Sequence, residues 1–124
     1  MHKILIVEDE SLIGWSMANA LGKAGYDPEV VECGEDAVER VRRGGYGLVI
    51  SEFRLPGIDG FDLAAKLKRI SGGLPVVIIS AHEDLGSAEF DTVKGIDRFI
   101  EKPFNLNDLV RLVKDFFTPA PARS

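Results

Sequence analysis

The stretch LVISEFRLPG, residues 48–57, sets Leu48, Val49, Ile50 and Ser51 in a run with no polar alternation, then passes through Glu52 into an arginine, a proline and a glycine. A short apolar run without a period of two is the pattern of a central parallel strand covered by helices on both faces. A carboxylate at the end of such a strand, where it opens into a turn, needs a reason. Its meaning depends on what else the chain brings beside it.

Outward from this stretch, short β-branched runs alternate with segments of helical period. KILIV (Lys3–Val7), EVVE (29–32), LVIS (48–51), VVIIS (Val76–Ser80) and RFIE (Arg98–Glu101) read as strands. Four helical segments lie between them and a fifth follows the last strand. Three of the strand runs are apolar throughout, so the pattern predicts a doubly wound α/β sheet.

The helix boundaries support that count. In the first helix Ile13, Met17, Leu21 and Ala24 form a stripe, and Gly25 takes the C′ position. The second helix turns Ala37, Val38 and Val41 inward and stops at Gly44 and Gly45. The third begins near Asp59 and carries Phe61, Leu63, Ala64 and Leu67. The last starts at the N-cap Asn105 and buries Leu109, Leu112, Val113 and Phe116. The fourth segment, EDLGSAEFDTVKG (83–95), offers Leu85, Ala88, Thr92 and Val93 but contains Gly86 and short polar residues, so a short or mobile helix is expected there.

Bulk properties narrow the function classes. A chain of 124 residues is long enough to bury roughly two-thirds of its unfolded surface, and residues 1–118 read as one domain, with 119–124 a Pro- and Ala-rich tail or the start of a linker. The single cysteine, Cys33, excludes an internal disulfide and four-cysteine zinc sites, and reads as a half-buried hydrophobe. A formal charge of −5, with no basic cluster denser than RVRRG (40–44), argues against direct nucleic-acid binding. No stretch approaches a membrane span and the amino terminus lacks a signal-peptide pattern, so a soluble, cytoplasmic protein is expected.

In an open parallel sheet, ligands gather outside the carboxyl ends of the strands. The residues that end strands are Glu8 and Asp9, Glu52, Ser80, and Lys102 with Pro103. Clustered carboxylates repel one another unless a cation sits among them, and hard oxygen ligands favour Mg²⁺. A lysine can hold a transferring phosphoryl group and a serine can donate to its oxygens. The set reads as a metal-assisted phosphoryl-transfer site.

At these residues the chain resembles the receiver domain of two-component response regulators, from Lys3 to Phe117, through ILIVEDE, LVISEFRLPGIDG, VVIISAH and RFIEKPF taken in order. The resemblance implies a (βα)5, flavodoxin-like three-layer sandwich with strand order 2-1-3-4-5. It implies that Glu8 and Asp9 are the acidic pair for Mg²⁺, that the metal site also takes in Glu52 and Arg54, and that the phosphoacceptor aspartate is replaced here by Glu52. It implies that Ser80 is the hydroxyl switch residue, Phe99 the aromatic switch, and Lys102 the lysine of the site, with a cis bond to Pro103. Arg54 and His82 correspond to positions that tune phosphoryl lifetime.

Glutamate is longer than aspartate by one methylene, about 1.5 Å. That displacement impairs in-line attack with Mg²⁺ in register and carries the carboxylate toward Lys102 and Ser80. Three readings follow: a degenerate receiver acting by protein contact, a working phosphoacceptor with altered kinetics, and a small-ligand module on the same fold. No GxxxxGK[ST] and no GxGxxG after the first strand supports the third.

The resemblance also implies a histidine kinase or phosphotransfer protein as one partner and a downstream effector domain or protein as another. Output, or homodimer formation, would run through the face of the fourth helix, fifth strand and last helix. Any phosphotransfer would be self-modification rather than enzyme turnover.

Plainer roles stand beside these. Glu8 and Asp9 also suit the positive end of a helix dipole. Asp59 reads as a helix cap, Phe104 as a core anchor, and His2 and His82 lack metal-ligand spacing. Trp15 lies roughly 200° round its helix from Ile13, facing away from the core stripe. It serves either as a protein contact or as cover for neighbouring side chains.

Overall fold

The computed structural model describes residues 2–81 and 96–118. His82, the expected fourth helix (83–95) and the tail (119–124) lie outside the described residues. In chain order the elements are β1 (Lys3–Val7), α1 (Ser11–Lys23), β2 (Asp27–Val31), α2 (Gly34–Arg43), β3 (Leu48–Glu52), β4 (Arg54–Leu55), β5 (Ile58–Asp59), α3 (Gly60–Ile70), β6 (Val76–Ser80), β7 (Arg98–Glu101) and a C-terminal helix, Leu106–Phe117.

Five strands form one parallel sheet in the order β2-β1-β3-β6-β7. With the two-residue pair β4–β5 set aside, this is the expected 2-1-3-4-5. All five residues of β3 and of β6 are buried, which is why those runs show no alternation: neither face of the sheet meets water there. Alternate residues feed two cores. Ile4, Ile6, Ile50 and Val77 pack with Met17 and Leu21 of α1 and Leu109 of the C-terminal helix. Leu5, Val7, Val49 and Ile78 pack with Ala37 and Val41 of α2 and Leu63 and Leu67 of α3.

The helix ends follow from their sequences. Gly25, at φ 98°, allows the Tyr26 N–H to reach the Leu21 carbonyl (3.1 Å) and its own N–H to reach Gly22 (3.1 Å). This pairing satisfies carbonyls that the end of α1 would leave open. Asp59 and Asn105 cap their helices by accepting from the backbone N–H groups of Asp62 and Asp108, both at 2.8 Å. Each cap contributes about 1 kcal/mol.

Some expectations shift. Ile13 is 36% exposed, and the inward stripe of α1 runs through Gly14, Met17 and Leu21. The helix lies close enough to β2 that Gly14 fits only because it has no side chain; a Cβ there would stand 3.0 Å from Val30. The second strand starts at Asp27, earlier than read, because β2 is an edge strand pairing only with β1. An edge tolerates Pro28, which has no N–H to give. Residues 54–59 form a small antiparallel pair round Pro56–Gly57, with Gly57 at φ 79°, as a type II turn requires.

At the amino ends of the strands an aromatic group closes the sheet. His2 stacks on Phe117 with ring centroids 4.1 Å apart, and Tyr26 lies 5.5 Å from the same ring. Gly47 leaves room for Phe117, whose ring would stand 2.9 Å from a Cβ at that position.

Candidate functional site

The opposite, carboxyl ends of the strands carry the chemistry. Glu8 directly follows β1, and its backbone N–H donates to Val31 at 3.0 Å, continuing the pairing with β2. The residue is 2% exposed, and the Glu10 backbone N–H donates to its Oε2 at 3.1 Å. Burial raises its pKa from the ordinary 4.5 to about 7; the Glu10 N–H opposes this, while the Glu52 charge and the Asp9 carboxyl add to it. Asp9 is exposed.

Glu52 ends β3, in register with Ile79 of β6. The loop behind it is drawn tight: the Phe53 N–H donates to the Ile79 carbonyl at 2.8 Å, and the Gly60 N–H donates to the Phe53 carbonyl at 2.7 Å. A Cβ at Gly60 would stand 3.0 Å from the Phe53 Cα and 3.3 Å from the Glu52 carbonyl oxygen. The start of α3 thus sits directly against the backbone that presents Glu52.

The Glu52 side chain is buried, and its Oε1 accepts from Lys102 Nζ at 2.7 Å. Its Oε2 is buried with no partner, and so is the hydroxyl of the fully buried Ser80 on the next strand. Lys102 is placed by its backbone N–H, which donates to the Ser80 carbonyl at 2.9 Å, and by the cis Lys102–Pro103 bond. A buried carboxylate needs such a partner, since an unpaired one would neutralise or unfold the rim.

Phe99 is half-buried on β7. Its ring meets Phe61 edge-on at 6.1 Å, and Phe61 in turn meets Phe53 at 4.8 Å. Sequence reading missed this aromatic row. It assigned Phe61 to the core stripe of α3, and only the fold places it between the loop after Glu52 and the switch residue. Arg54 is exposed on β4, paired with Asp59 across the small hairpin.

Glu8, Glu52, Ser80 and Lys102 therefore meet at one rim, with Asp9 beside Glu8. Hard carboxylate oxygens suit Mg²⁺ chemically. The arrangement is less suitable: among the described residues no group of three His, Cys, Asp or Glu is gathered to hold a metal ion. Glu8 and Glu52 lie close enough for the charge of one to act on the other; Lys102 holds one oxygen of Glu52, and the other oxygen has no partner.

A five-stranded 2-1-3 sheet carrying paired acids, a strand-end carboxylate, a strand-end hydroxyl and a lysine before a cis-proline defines a receiver domain. The chain belongs to the response regulator receiver domain family, which its residues 4–114 match. It is 32% identical over 111 residues to the DNA-binding transcriptional regulator NtrC of Escherichia coli K12, covering 90% of this chain and 24% of NtrC. It is 36% identical over 107 residues to the transcriptional regulatory protein TcrA of Mycobacterium tuberculosis H37Rv, covering 86% of this chain and 42% of TcrA. The chain thus spans less than half the length of either relative.

Among solved structures, the response regulator TrrA of Thermotoga maritima, crystallised with Mg²⁺ and BeF, superposes with a TM-score of 0.83 at 28% identity over 94% of this chain and 99% of that one. A receiver domain protein from Clostridium thermocellum reaches 0.86 at 23% identity, covering 94% of each chain, and shows the fold.

Proposed function

We propose that this receiver module signals by protein contact, with Glu52 at the phosphoacceptor position held by Lys102 without phosphorylation. The observation that carries this reading is the 2.7 Å contact between Lys102 Nζ and Oε1 of the nearly buried Glu52. The extra methylene of glutamate brings its carboxylate to the lysine directly. One carboxylate supplies a single negative charge where a phosphoryl group supplies nearly two, so the imitation is partial. Ser80 and Phe99 are the switch residues, and the unpartnered Ser80 hydroxyl supports a switch that has not fully turned.

Magnesium is bound weakly, by Glu8 and Asp9, because Glu52 is engaged elsewhere. The exposed Leu12 and Trp15 of α1 form the docking patch for a histidine kinase or phosphotransfer protein in the cytoplasm. A downstream effector reads the face containing β7 and the C-terminal helix.

Intact mass after incubation with Mg²⁺ and a small-molecule phosphodonor tests the reading. Wild type stays unlabelled, whereas Glu52→Asp gains a phosphoryl group. A second reading, a slow but working acceptor, draws on the Glu52 Oε2, a carboxylate oxygen that Lys102 does not engage. Equal labelling of wild type and Glu52→Asp would establish it and overturn the first.

A further inference from the structure

An open groove of about 1170 Å³ runs between α2 and α3 on the outer side of the sheet, one end of it lined by Pro56, Gly57 and Ile58 of the loop that follows Glu52. The two helices pack on the same face and both connect parallel strands, so they run in the same direction. Their outward stripes have one design. On α2 it is Glu35, Val38, Glu39 and Arg42; on α3 it is Asp62, Ala65, Lys66 and Arg69. Both are spaced i, i+3, i+4, i+7, the spacing that keeps four residues on one helical face. In each, an acid begins the stripe, a small apolar residue sits inside it, and an arginine ends it about 10 Å further on.

The core residues of these helices, Ala37, Val41, Leu63 and Leu67, point to the sheet and Val38 packs partly against them; the acid-to-base order along each stripe suits its own helix dipole and also leaves a charged face turned outward. Ile58 and Ile70 extend the apolar floor, and Ile70 is 36% exposed. No ion pair within the described residues engages Glu35, Asp62, Arg42, Lys66 or Arg69, and Glu39 meets Arg43 only at 3.6 Å on an exposed surface.

The groove carries three acids and three bases, so no ligand of a single charge sign is favoured. A two-fold axis across the middle of the groove, however, brings the acidic end of one copy onto the basic end of another. Val38 and Ala65 then meet their equivalents. We propose that this face is the docking surface for a second copy of the chain, packed as an antiparallel layer of four helices. The helices are only about 15 Å long, so the contact is smaller than a standard interface of about 800 Å² per partner. The dimer is correspondingly weak, with a Kd on the order of 0.1 mM, and salt-sensitive because the charges are exposed.

Sedimentation equilibrium on the whole chain, from about 0.01 to about 1 mM protein, tests this. Wild type associates at low salt and dissociates in about 1 M salt. A variant with Arg42→Glu and Arg69→Glu, or one with Glu35→Lys and Asp62→Lys, stays monomeric alone, while the two mixed form a heterodimer. Circular dichroism of each variant confirms that it is folded. A wild type that is monomeric throughout, variants that associate like wild type, or a mixture that fails to pair overturns the proposal. So does association abolished by Arg111→Glu on the C-terminal helix but not by the groove variants, which would move the contact to the other face.

Discussion

Glu8 should make stability depend on pH in the direction opposite to an ion-paired carboxylate. Its pKa rises from the ordinary 4.5 to about 7 on folding, chiefly through burial. The folded chain therefore holds the Glu8 proton more tightly than the unfolded chain does. Stability from this group is fullest below about pH 4.5, declines as pH rises, and is exhausted above about pH 7. Linkage sets the loss between pH 5 and 8 at roughly 2–3 kcal/mol. The assay is urea unfolding of wild type and Glu8→Gln across that range; the difference between the two cancels the titration of groups far from Glu8. Measured against the variant, wild type should be at its most stable at pH 5 and lose roughly 2–3 kcal/mol by pH 8. Parallel curves would refute the reasoning, since they would mean that Glu8 is solvated or already neutralised by a partner.

Lys102→Met should destabilise by about 1–3 kcal/mol in urea unfolding, less than for a fully buried pair because the lysine is partly exposed; adding Glu52→Leu should recover most of the loss. Gly60→Ala should cost about 1–3 kcal/mol and lower the Tm, since the new methyl meets backbone atoms of Phe53 and Glu52 that cannot yield, whereas Gly73→Ala, with nothing within 4 Å, should be close to neutral.

The sheet was readable because its information is local. Val76–Ser80 and Leu48–Glu52 are apolar at every position but the last one or two, and burial on both faces is the only common reason for that. Caps at Asp59 and Asn105 and the terminator Gly25 were readable for the same reason: each acts on backbone groups within a few residues. The participants in the rim were also legible, because strand ends in a parallel sheet share an edge. The added length of Glu52 pointed toward Lys102, and the structure closes that contact at 2.7 Å. What burial does to Glu8 was not legible, because it depends on the packing round the strand end rather than on neighbouring letters. Ile13 was misassigned for a related reason. Periodicity fixes a stripe only to within a residue, and the close approach of α1 to β2 rotates Gly14 inward in its place. The twin stripes on α2 and α3 are visible as letters, yet only the fold shows that they lie side by side.

The aromatic stack of His2 on Phe117 has a practical corollary. It brings His2 and Phe117, near the two ends of the described chain, to the same pole, about 20 Å below Glu8 along β1. A fluorophore or affinity handle joined after Thr118 would therefore emerge at that pole. Tethered to a sensor chip by such a handle, the domain would display its acidic rim to the solution unobstructed.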